Sequence, residues 1–337
     1  MPDSGCDIVV VGASAGGVEA LMRFARAVPA DFSVPILVVL HIPASGPSVL
    51  PSIISRAGAL SAVHAEHGME LNGGGFYIAP PDRHMRIADS RIQLDPGPLE
   101  NGHRPAIDPL FRSAADVFGS RAAGVVLSGT LDDGTVGLYC IKESGGAALA
   151  QEPTDALYPA MPANAIAYAN PDYVLPIEEL VDTLVRLTAR SNGRLGKEIS
   201  VTNEAAPDPS SENAQAGVLA PFSCPDCGGT LWETEEGGTV SYRCRVGHAY
   251  TMNSLVARHV DSLERTLWSA YRALEERAAM SRRVARRLED RGRAESARRF
   301  ERQARFSAQQ ATELKALLDR LEAAPDVGLD AVAESRG

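Results

Sequence analysis

The sequence predicts an α/β protein with a doubly wound, mostly parallel sheet and a small β-hairpin, followed by a zinc-ribbon-like module and an α-helical hairpin or coiled coil. From residue 7 to about 190, short β-branched runs that end at glycine alternate with helix-like segments, as in sheets whose strands are buried on both faces. Cysteines and a histidine cluster at 224–248, and apolar residues then recur at helical spacing from 252 to 324. The predicted boundaries are 1–190 for the α/β domain, 191–221 for a flexible linker, 222–250 for the cysteine-rich module, 251–325 for the helices and 326–337 for a disordered tail.

The composition and net charge of the chain exclude some classes of function. The chain has 337 residues, of which 45% are hydrophobic and 23% charged, as expected of a globular protein with more than one domain. A formal net charge of −10 argues against general nucleic-acid binding. No run of 18 apolar residues occurs, and no basic region precedes an apolar one at the amino terminus. These features predict a cytoplasmic protein with no membrane insertion.

The elements of the α/β domain follow from periodicity and turn residues. A hairpin is predicted from Met85–Ala88 and Arg91–Leu94, which alternate in polarity on either side of Asp89-Ser90. Strands are predicted at 7–11, 35–40, 75–79, 123–127, 146–150 and 172–176. Helices are predicted at 18–27, 49–55, 107–118, from 135 onward and at 177–188.

The turn after the first strand is the first candidate site. Gly12-Ala13-Ser14-Ala15-Gly16 follows a β-branched run and precedes a helix, so it has the G-x-S-x-G pattern of a nucleophile elbow, which exposes the serine hydroxyl. Glycine-rich turns of this kind also bind phosphates and dinucleotides, although neither G-x-G-x-x-G nor a P-loop is present. A tight turn without chemistry is the third interpretation, and the turn alone does not choose among them.

Polar side chains follow three predicted buried strands, namely Ser14, His41 and Asp133. The carboxyl ends of parallel strands share one edge of the sheet, so these residues can converge there. His41 could take the proton of Ser14, and Asp133 could orient the imidazole, as in serine hydrolases. Backbone N–H groups at the start of the first helix, such as that of Ala15, and in the 129–131 loop could stabilise an oxyanion.

Each of these residues also has an ordinary structural interpretation. A histidine after a strand is often a loop residue that hydrogen-bonds the backbone. Asp132 and Asp133 could cap the helix that begins near Thr135, a common use of aspartate before a helix. The order Ser, His, Asp also differs from the Ser, Asp, His order of the α/β-hydrolases, which predicts a different fold carrying a similar elbow.

Five motifs occur in one order along the domain: Val11-Gly12-Ala13-Ser14-Ala15-Gly16-Gly17, Leu40-His41-Ile42-Pro43, Tyr77-Ile78-Ala79-Pro80, Arg104-Pro105-Ala106-Ile107-Asp108-Pro109-Leu110-Phe111 and Leu127-Ser128-Gly129-Thr130-Leu131-Asp132-Asp133-Gly134. Together they resemble the catalytic domain of the bacterial chemotaxis protein-glutamate methylesterases. Gln151-Glu152-Pro153 and Met161-Pro162 extend this resemblance, which covers roughly residues 5–190. One such motif would be weak support, whereas five in register are strong.

The resemblance implies a serine esterase without a catalytic cofactor. Its substrates would be glutamyl methyl esters on the cytoplasmic helices of methylated chemoreceptors, with release of methanol, and it could also deamidate glutamines. By position, Ser14 would be the nucleophile, His41 the general base and Asp133 the orienting acid. The N–H of Thr130 would serve the oxyanion.

This chain departs from the family pattern at three places. Ala15 stands where the family usually has threonine, and Gly129-Thr130-Leu131 replaces the usual Gly-Met-Gly. A backbone donor survives both changes, but substrate fit could differ. The family also usually has a phosphorylatable receiver domain before the catalytic domain, whereas the first strand here begins at residue 7. We therefore expect no control by phosphorylation within the chain. A serine hydrolase of another ester or amide and a non-catalytic signalling scaffold remain as alternatives.

The cysteine-rich module has the spacing of a zinc site. Cys224 and Cys227 form a C-x2-C pair, and Cys244 and His248 form a C-x3-H pair 16 residues further on. Three thiolates and one imidazole suit a tetrahedral, structural zinc ion. The alternative is a small reduced module that packs on aromatic residues without a metal.

The helical stretch from 252 to 324 breaks near Asp290-Arg291-Gly292-Arg293. Its apolar positions fit a hairpin and a dimeric coiled coil equally well. Arginines are frequent from 281 to 310, where a solvated face is the simpler interpretation and contact with other signalling proteins the more specific one. By position, the module and the helices could serve as a regulatory or targeting device.

Overall fold

The computed structural model describes residues 5–46, 48–189, 217–236 and 239–322. Its centre is a seven-stranded sheet in the order β3-β4-β2-β1-β7-β8-β9, in which every neighbouring pair is parallel. The strands are β1 (Ile8–Ala13), β2 (Pro35–Leu40), β3 (Ala62–His64), β4 (Gly75–Ile78), β7 (Ala122–Val126), β8 (Ala147–Gln151) and β9 (Tyr173–Leu175). The chain leaves β1 on one side to form β2 and returns on the other side as β7, so the strand order reverses between β1 and β7. Ligand sites of open α/β sheets form at such a point.

Helices cover both faces of the sheet, as predicted. Alternate residues of β1 face opposite layers, with Val9 and Val11 in one core and Ile8 and Val10 in the other. The first layer contains α1 (Gly17–Ala27), α2 (Leu50–Ala57) and α6 (Ile177–Thr188). The second contains α3 (Ile107–Phe118), α4 (Thr135–Glu143) and α5 (Ala160–Ala169).

The predicted hairpin is present as β5 (His84–Ala88) and β6 (Arg91–Asp95), which pair antiparallel outside the main sheet. Asp89 and Ser90 both have positive φ, 48° and 59°, as in the primed turns that close two-residue hairpins. The helix α5 is not among those predicted from the sequence. This segment is rich in alanine and has no polar face, so its helical periodicity is weak, whereas the amphipathic α3 and α6 were predicted with the observed bounds.

The cysteine-rich segment forms an antiparallel sheet of four strands, β10 (Val218–Ser223), β11 (Thr230–Glu236), β12 (Thr239–Cys244) and β13 (Ala249–Thr251). The sheet begins at Val218, four residues before the predicted start of the module at 222, because β10 pairs with β11 through Val218 and Glu233. Residues 191–216 of the predicted linker and the predicted tail at 326–337 lie outside the described residues.

The chain divides into two compact units, residues 1–255 and 256–337. The second unit consists of most of α7 (Met252–Glu289) together with α8 (Ala294–Glu322), and the predicted break at 290–293 lies between the two helices. Small side chains on both helices, such as Ala278 and Ala304, are buried, and the Lys315 ammonium lies 4.9 Å from the centre of the Trp268 ring. This packing within one chain favours a hairpin over a dimeric coiled coil. Contact with other signalling proteins stays a prediction.

None of the helices in the described part of the chain combines the length and the apolar character needed to cross a membrane.

A buried carboxylate ties the hairpin to α3. Glu100 is 5% exposed and forms ion pairs with Arg86 on β5 and Arg112 on α3. Burial raises the pKa of Glu100, but the nearby arginines, Arg243 of β12 among them, outweigh burial and lower it from 4.5 to about 2. Because the folded-state pKa is the lower one, Glu100 stabilises the protein above pH 4.5, and this contribution is lost as the pH falls toward 2.

We predict that Glu100→Gln lowers the free energy of unfolding at pH 7 by roughly 3 kcal/mol, because it removes a buried carboxylate from two partly buried arginines. Denaturant titrations at pH 7 and pH 3 check this, and the difference between wild type and variant should shrink at pH 3. Glu19→Gln, at an exposed position of α1, is the matched control and should change little at either pH. An equal loss of stability at both pH values would contradict the prediction.

Candidate active site

The elbow after β1 places Ser14 between the sheet and α1. The Ser14 N–H donates to the carbonyl of Ser128, 3.0 Å away, and the Gly17 N–H donates to the Ser14 carbonyl at 2.8 Å. Gly16 has φ 70°, in the left-handed region that favours glycine, so the chain turns sharply enough to begin α1 at Gly17. Ser14 is partly exposed at the tip of this turn.

His41 follows β2, the strand beside β1, and lies over Ser14. Its Nδ1 is 3.0 Å from the Ser14 Oγ, and its Nε2 is 2.7 Å from Oδ2 of Asp133. When Nε2 carries the proton and donates it to Asp133, Nδ1 is left as an acceptor that faces the serine hydroxyl. The structure therefore brings together the three residues that the sequence placed at strand ends.

Asp133 is almost fully buried and accepts hydrogen bonds at both carboxylate oxygens. Oδ2 also accepts from the Ile107 N–H at 2.7 Å, and Oδ1 accepts from the Asn101 side-chain amide at 2.9 Å. Burial raises the pKa of the Asp133 carboxyl, but the hydrogen bond and charge of His41 and these N–H donors outweigh it, so the pKa lies well below its ordinary range. Asp133 is therefore an anion at neutral pH.

Gly12 allows the start of α3 to approach β1. A Cβ atom at Gly12 would lie 2.4 Å from Cγ2 of Ile107, which is closer than real side chains come. Because the Ile107 N–H donates to Asp133, this close approach also sets the position of a donor to the carboxylate. The first glycine of the motif is thus explained by helix–strand packing.

Asn101 and Asp108 belong to the same buried network but were not singled out as site residues from the sequence. The Asn101 amide also donates to Oδ2 of Asp108 at 3.0 Å, and the Gly137 N–H donates to the other oxygen of Asp108 at 2.7 Å. Burial and the charge of Asp133 raise the pKa of Asp108 well above its ordinary value. Asp108 lies within the motif Arg104–Phe111, one of the five that resemble the family. Asn101 lies before that motif, and the sequence around it indicates only an Asn-Gly turn.

The loop after β7 lies against the serine. A Cβ atom at Gly129 would be 2.9 Å from the Ser14 Cβ, and the Gly129 N–H is already used by the Tyr158 carbonyl at 3.0 Å. The N–H groups of Ala15 and Thr130, the two predicted oxyanion donors, donate to no acceptor among the described residues. Leu131 has φ 61° where the family usually has glycine, and its carbonyl accepts from the Asn164 side chain at 2.8 Å, which holds this strained loop.

His103 stacks on His41, a contact that is not predicted from the sequence. The two ring centres are 3.7 Å apart and the ring planes differ by 10°. His103 therefore covers one face of the His41 imidazole and restricts its rotation. The nearby backbone forms a tight turn, in which the His103 N–H donates to the Glu100 carbonyl at 2.9 Å.

The four predicted metal ligands lie together in the small sheet. Their ligand atoms, one from each of Cys224, Cys227, Cys244 and His248, are all within 4.8 Å of one another. The Cys227 and Cys244 sulfurs are 3.6 Å apart, and Nδ1 of His248 is 3.6 Å and 3.5 Å from the sulfurs of Cys224 and Cys244. A tetrahedron with Zn–S bonds of about 2.3 Å has edges of roughly 3.7 Å, so the donor set fits zinc.

A serine, a histidine and an aspartate in hydrogen-bond contact at the switch point of a parallel α/β sheet form the arrangement found in serine hydrolases. The comparisons with known proteins give the family. Residues 9–184 match the CheB methylesterase family, and the chain belongs to it. The crystal structure of the Thermotoga maritima CheB methylesterase catalytic domain superposes with a TM-score of 0.52 at 32% identity, covering 54% of this chain and 98% of that one.

Curated relatives carry two activities in their names. The protein-glutamate methylesterase/protein-glutamine glutaminase 1 of Geobacter metallireducens is 38% identical over 177 residues, which is 51% of this chain and 48% of that protein. The enzyme of the same name from Pyrococcus horikoshii is 35% identical over 203 residues, or 58% of this chain and 54% of that protein. The chain thus spans about half the length of these two relatives. A provisionally named relative of the same kind in Leptospira interrogans is 36% identical over 182 residues, 54% of this chain and 94% of that protein.

Proposed function

We propose that this protein hydrolyses glutamate methyl esters on methylated chemoreceptors, with Ser14 as nucleophile, His41 as general base and Asp133 as its orienting acid. The observation that carries the proposal is the continuous hydrogen-bonded chain from the Ser14 Oγ through both nitrogens of His41 to Asp133. The two activities in the names of the relatives supply the substrate, and they extend the proposal to deamidation of glutamine.

In acylation, the Ser14 Oγ attacks the γ-carbonyl carbon of the ester while its proton passes to Nδ1 of His41. The carbonyl oxygen becomes an oxyanion, which the N–H groups of Ala15 and Thr130 stabilise. The tetrahedral intermediate collapses when the C–O bond to the methoxy group breaks, and His41 returns its proton so that methanol leaves. Asp133 keeps its negative charge throughout and stabilises the transient imidazolium.

In deacylation, a water molecule takes the place of methanol. His41 accepts a proton from the water as its oxygen attacks the acyl carbon, and the glutamate carboxylate then leaves Ser14 with the hydroxyl restored. With a glutamine substrate the same steps release ammonia in place of methanol. No step requires a metal or an organic cofactor.

Exposed apolar side chains beside the elbow suit a protein substrate. Leu157 is 68% and Tyr158 44% exposed, and both lie next to Gly16, where an added Cβ would be 3.0 Å from the Leu157 Cβ. We propose that these residues contact the receptor helix that carries the ester. Helices bind through apolar side chains spaced along one face, and an exposed Leu-Tyr pair offers a complementary surface.

Methanol release from a methylated receptor fragment tests the proposed function. The full chain should release methanol, and a serine-reactive phosphonate should label Ser14 and abolish turnover. Labelling of Ser14 without methanol release would show that the catalytic group works on another ester or amide. Absence of both would favour the signalling scaffold.

We further propose that Cys224, Cys227, Cys244 and His248 bind one structural zinc ion. The distances fit a tetrahedron, and four protein ligands leave no open position for a substrate or water. Cys224 and Cys244 belong to the buried core of the small sheet, with Leu231 and Tyr250, so an ion there would link β12 to the turn after β10.

We predict about one zinc ion per chain, because the four ligands complete a single tetrahedral shell. Release of the ion with a mercurial and a colorimetric chelator measures this content. Cys244→Ser should lose the metal and lower the thermal midpoint of the module. Cys140→Ser, which replaces a cysteine on α4 that is no part of the group, should keep both. Metal-free wild-type protein after expression in zinc-supplemented medium would contradict the proposal.

A further inference from the structure

The segment that follows the Cys/His group runs along the loop that precedes α3. The Ala249 N–H donates to the Leu99 carbonyl at 3.2 Å, and the Asn101 N–H donates to the Ala249 carbonyl at 2.8 Å. Glu100 and Ala249 therefore pair as in a parallel sheet. These bonds fix the backbone of β13 beside Asn101, which donates to Asp133.

Thr251 determines how the Asn101 amide is oriented. The Thr251 N–H donates to Oδ1 of Asn101 at 3.0 Å, so the carbonyl end of the amide faces Thr251. The amino end then faces the carboxyl groups of Asp133 and Asp108, to which it donates at 2.9 Å and 3.0 Å. With the amide reversed, its oxygen would oppose the Asp133 carboxylate and its amino group would oppose the Thr251 N–H donor.

Asp132 is bound by the same segment. Its Oδ1 accepts from the Thr251 hydroxyl at 2.8 Å and from the Ser254 hydroxyl at 2.9 Å, and all three side chains are buried. The Thr251 hydroxyl also accepts from the Ser254 N–H at 3.2 Å, which makes Thr251 a cap of α7. Asp132 thus lies at the amino terminus of α7, where the hydroxyl donors and the helix dipole favour its charged form, while burial outweighs them and raises its pKa to about 6.

We infer that Thr251 and Ser254 are positioning residues for the proposed esterase, because they hold Asp132 and Asn101 and thereby the Asp133 carboxylate against His41. Asp132 and Asp133 are adjacent in one loop, so a shift of Asp132 moves the backbone that carries Asp133. The inference rests on the proposed function of Asp133. It makes the segment after the Cys/His group part of the catalytic apparatus.

A purely structural contact would behave differently. Loss of a domain contact lowers stability and the amount of folded protein, but each folded molecule keeps its turnover number. Loss of a positioning contact lowers kcat in protein that remains folded and leaves KM unchanged, because the substrate surface near Leu157 is not touched. Misplacement of a catalytic group by 1 Å can cost about 100-fold in rate.

The test uses four variants of the full chain. Thr251→Val replaces the hydroxyl with a methyl group of equal size, and Thr251→Ser keeps the hydroxyl. Ser254→Ala removes the second donor to Asp132. Thr234→Val is the matched control, because the Thr234 hydroxyl bonds within the small sheet, to Ser241 at 2.8 Å. For each variant we would measure kcat and KM for methanol release, the rate of Ser14 labelling by a phosphonate, and the thermal midpoint.

We expect Thr251→Val to reduce both kcat and the labelling rate by roughly 10- to 100-fold in folded protein, with KM within about twofold of wild type. Ser254→Ala should give a smaller loss of the same kind. Thr251→Ser should restore most of the rate, and Thr234→Val should label as wild type does.

Labelling of folded Thr251→Val and Ser254→Ala at the wild-type rate would overturn the inference, as would a failure of Thr251→Ser to restore it. Should Thr251→Val not fold, Ser254→Ala decides alone. If wild type labels at Ser14 but releases no methanol, the substrate is wrong and the labelling rates still decide the positioning role. If wild type does not label at all, the proposed function and this inference both fail.

Discussion

Replacing Ser14 with alanine is expected to reduce methanol release by roughly 10⁴- to 10⁶-fold, because no other group at the elbow can form the acyl intermediate. The remaining rate would come from the N–H groups of Ala15 and Thr130 and from substrate binding, which the substitution leaves in place. Turnover of a methylated receptor fragment measures the loss, and labelling by a serine-reactive phosphonate should disappear.

Ser52→Ala is the matched control for this prediction, since Ser52 is exposed on α2 and lies outside the hydrogen-bonded site. It should keep both turnover and labelling. Thermal unfolding of the Ser14→Ala protein should stay near that of wild type, because the lost hydroxyl is partly exposed and only one hydrogen bond is removed. Turnover by Ser14→Ala within tenfold of wild type would refute the role of this serine.

Asp133→Asn should lower kcat on the order of 10³- to 10⁴-fold. Both oxygens of Asp133 accept hydrogen bonds, from His41 and Ile107 on one side and from Asn101 on the other. The amide of an asparagine has one oxygen and one amino group, so the amino group must face either the His41 side or the Asn101 side, where it meets other donors. If it faces His41, Nε2 loses its proton and Nδ1 gains one, so the nitrogen beside Ser14 can no longer act as a base.

The pH profile of methanol release distinguishes this mechanism from general damage. The pKa of Asp133 lies well below its ordinary range, so its titration does not shape the wild-type profile near neutral pH. The rate of the variant should instead rise with hydroxide concentration at high pH, because hydroxide can take the Ser14 proton that Nδ1 no longer accepts. Asp31→Asn, at an exposed loop position, is the control and should match wild type. A profile of Asp133→Asn that runs parallel to wild type at a tenfold lower rate would argue against the tautomer explanation.

Much of the catalytic domain could be predicted because its elements are encoded locally. The run Val9-Val10-Val11 predicts a buried strand. The amphipathic spacing of apolar residues predicts where the helices α3 and α6 begin and end. Ser14, His41 and Asp133 each end or follow a buried strand, and one topological rule was enough to bring them together. The α5 helix was missed because its alanine-rich sequence gives no contrast between faces.

The supporting hydrogen bonds of the site followed from tertiary structure alone. Thr251 and Ser254 reach Asp132 across 119 and 122 positions of sequence, and Asn101 reaches Asp133 across 32. The sequence contains no pattern that predicts these contacts, because the position of a polar residue in a loop bears no regular relation to that of a distant partner. The stacking of His103 on His41 likewise depends on the turn at Glu100–His103.

The sequence by itself determined the fold class, the positions of the three proposed catalytic residues and the metal-ligand spacing of the cysteine-rich module. These depend on short-range patterns of burial, on turns and on the rule that parallel strands end at one edge. Only the tertiary structure decided that β13 and the start of α7 lie against the loop of Asp132 and Asp133. That contact is made by a few directional hydrogen bonds between distant segments, whose geometry exists only once both segments have folded.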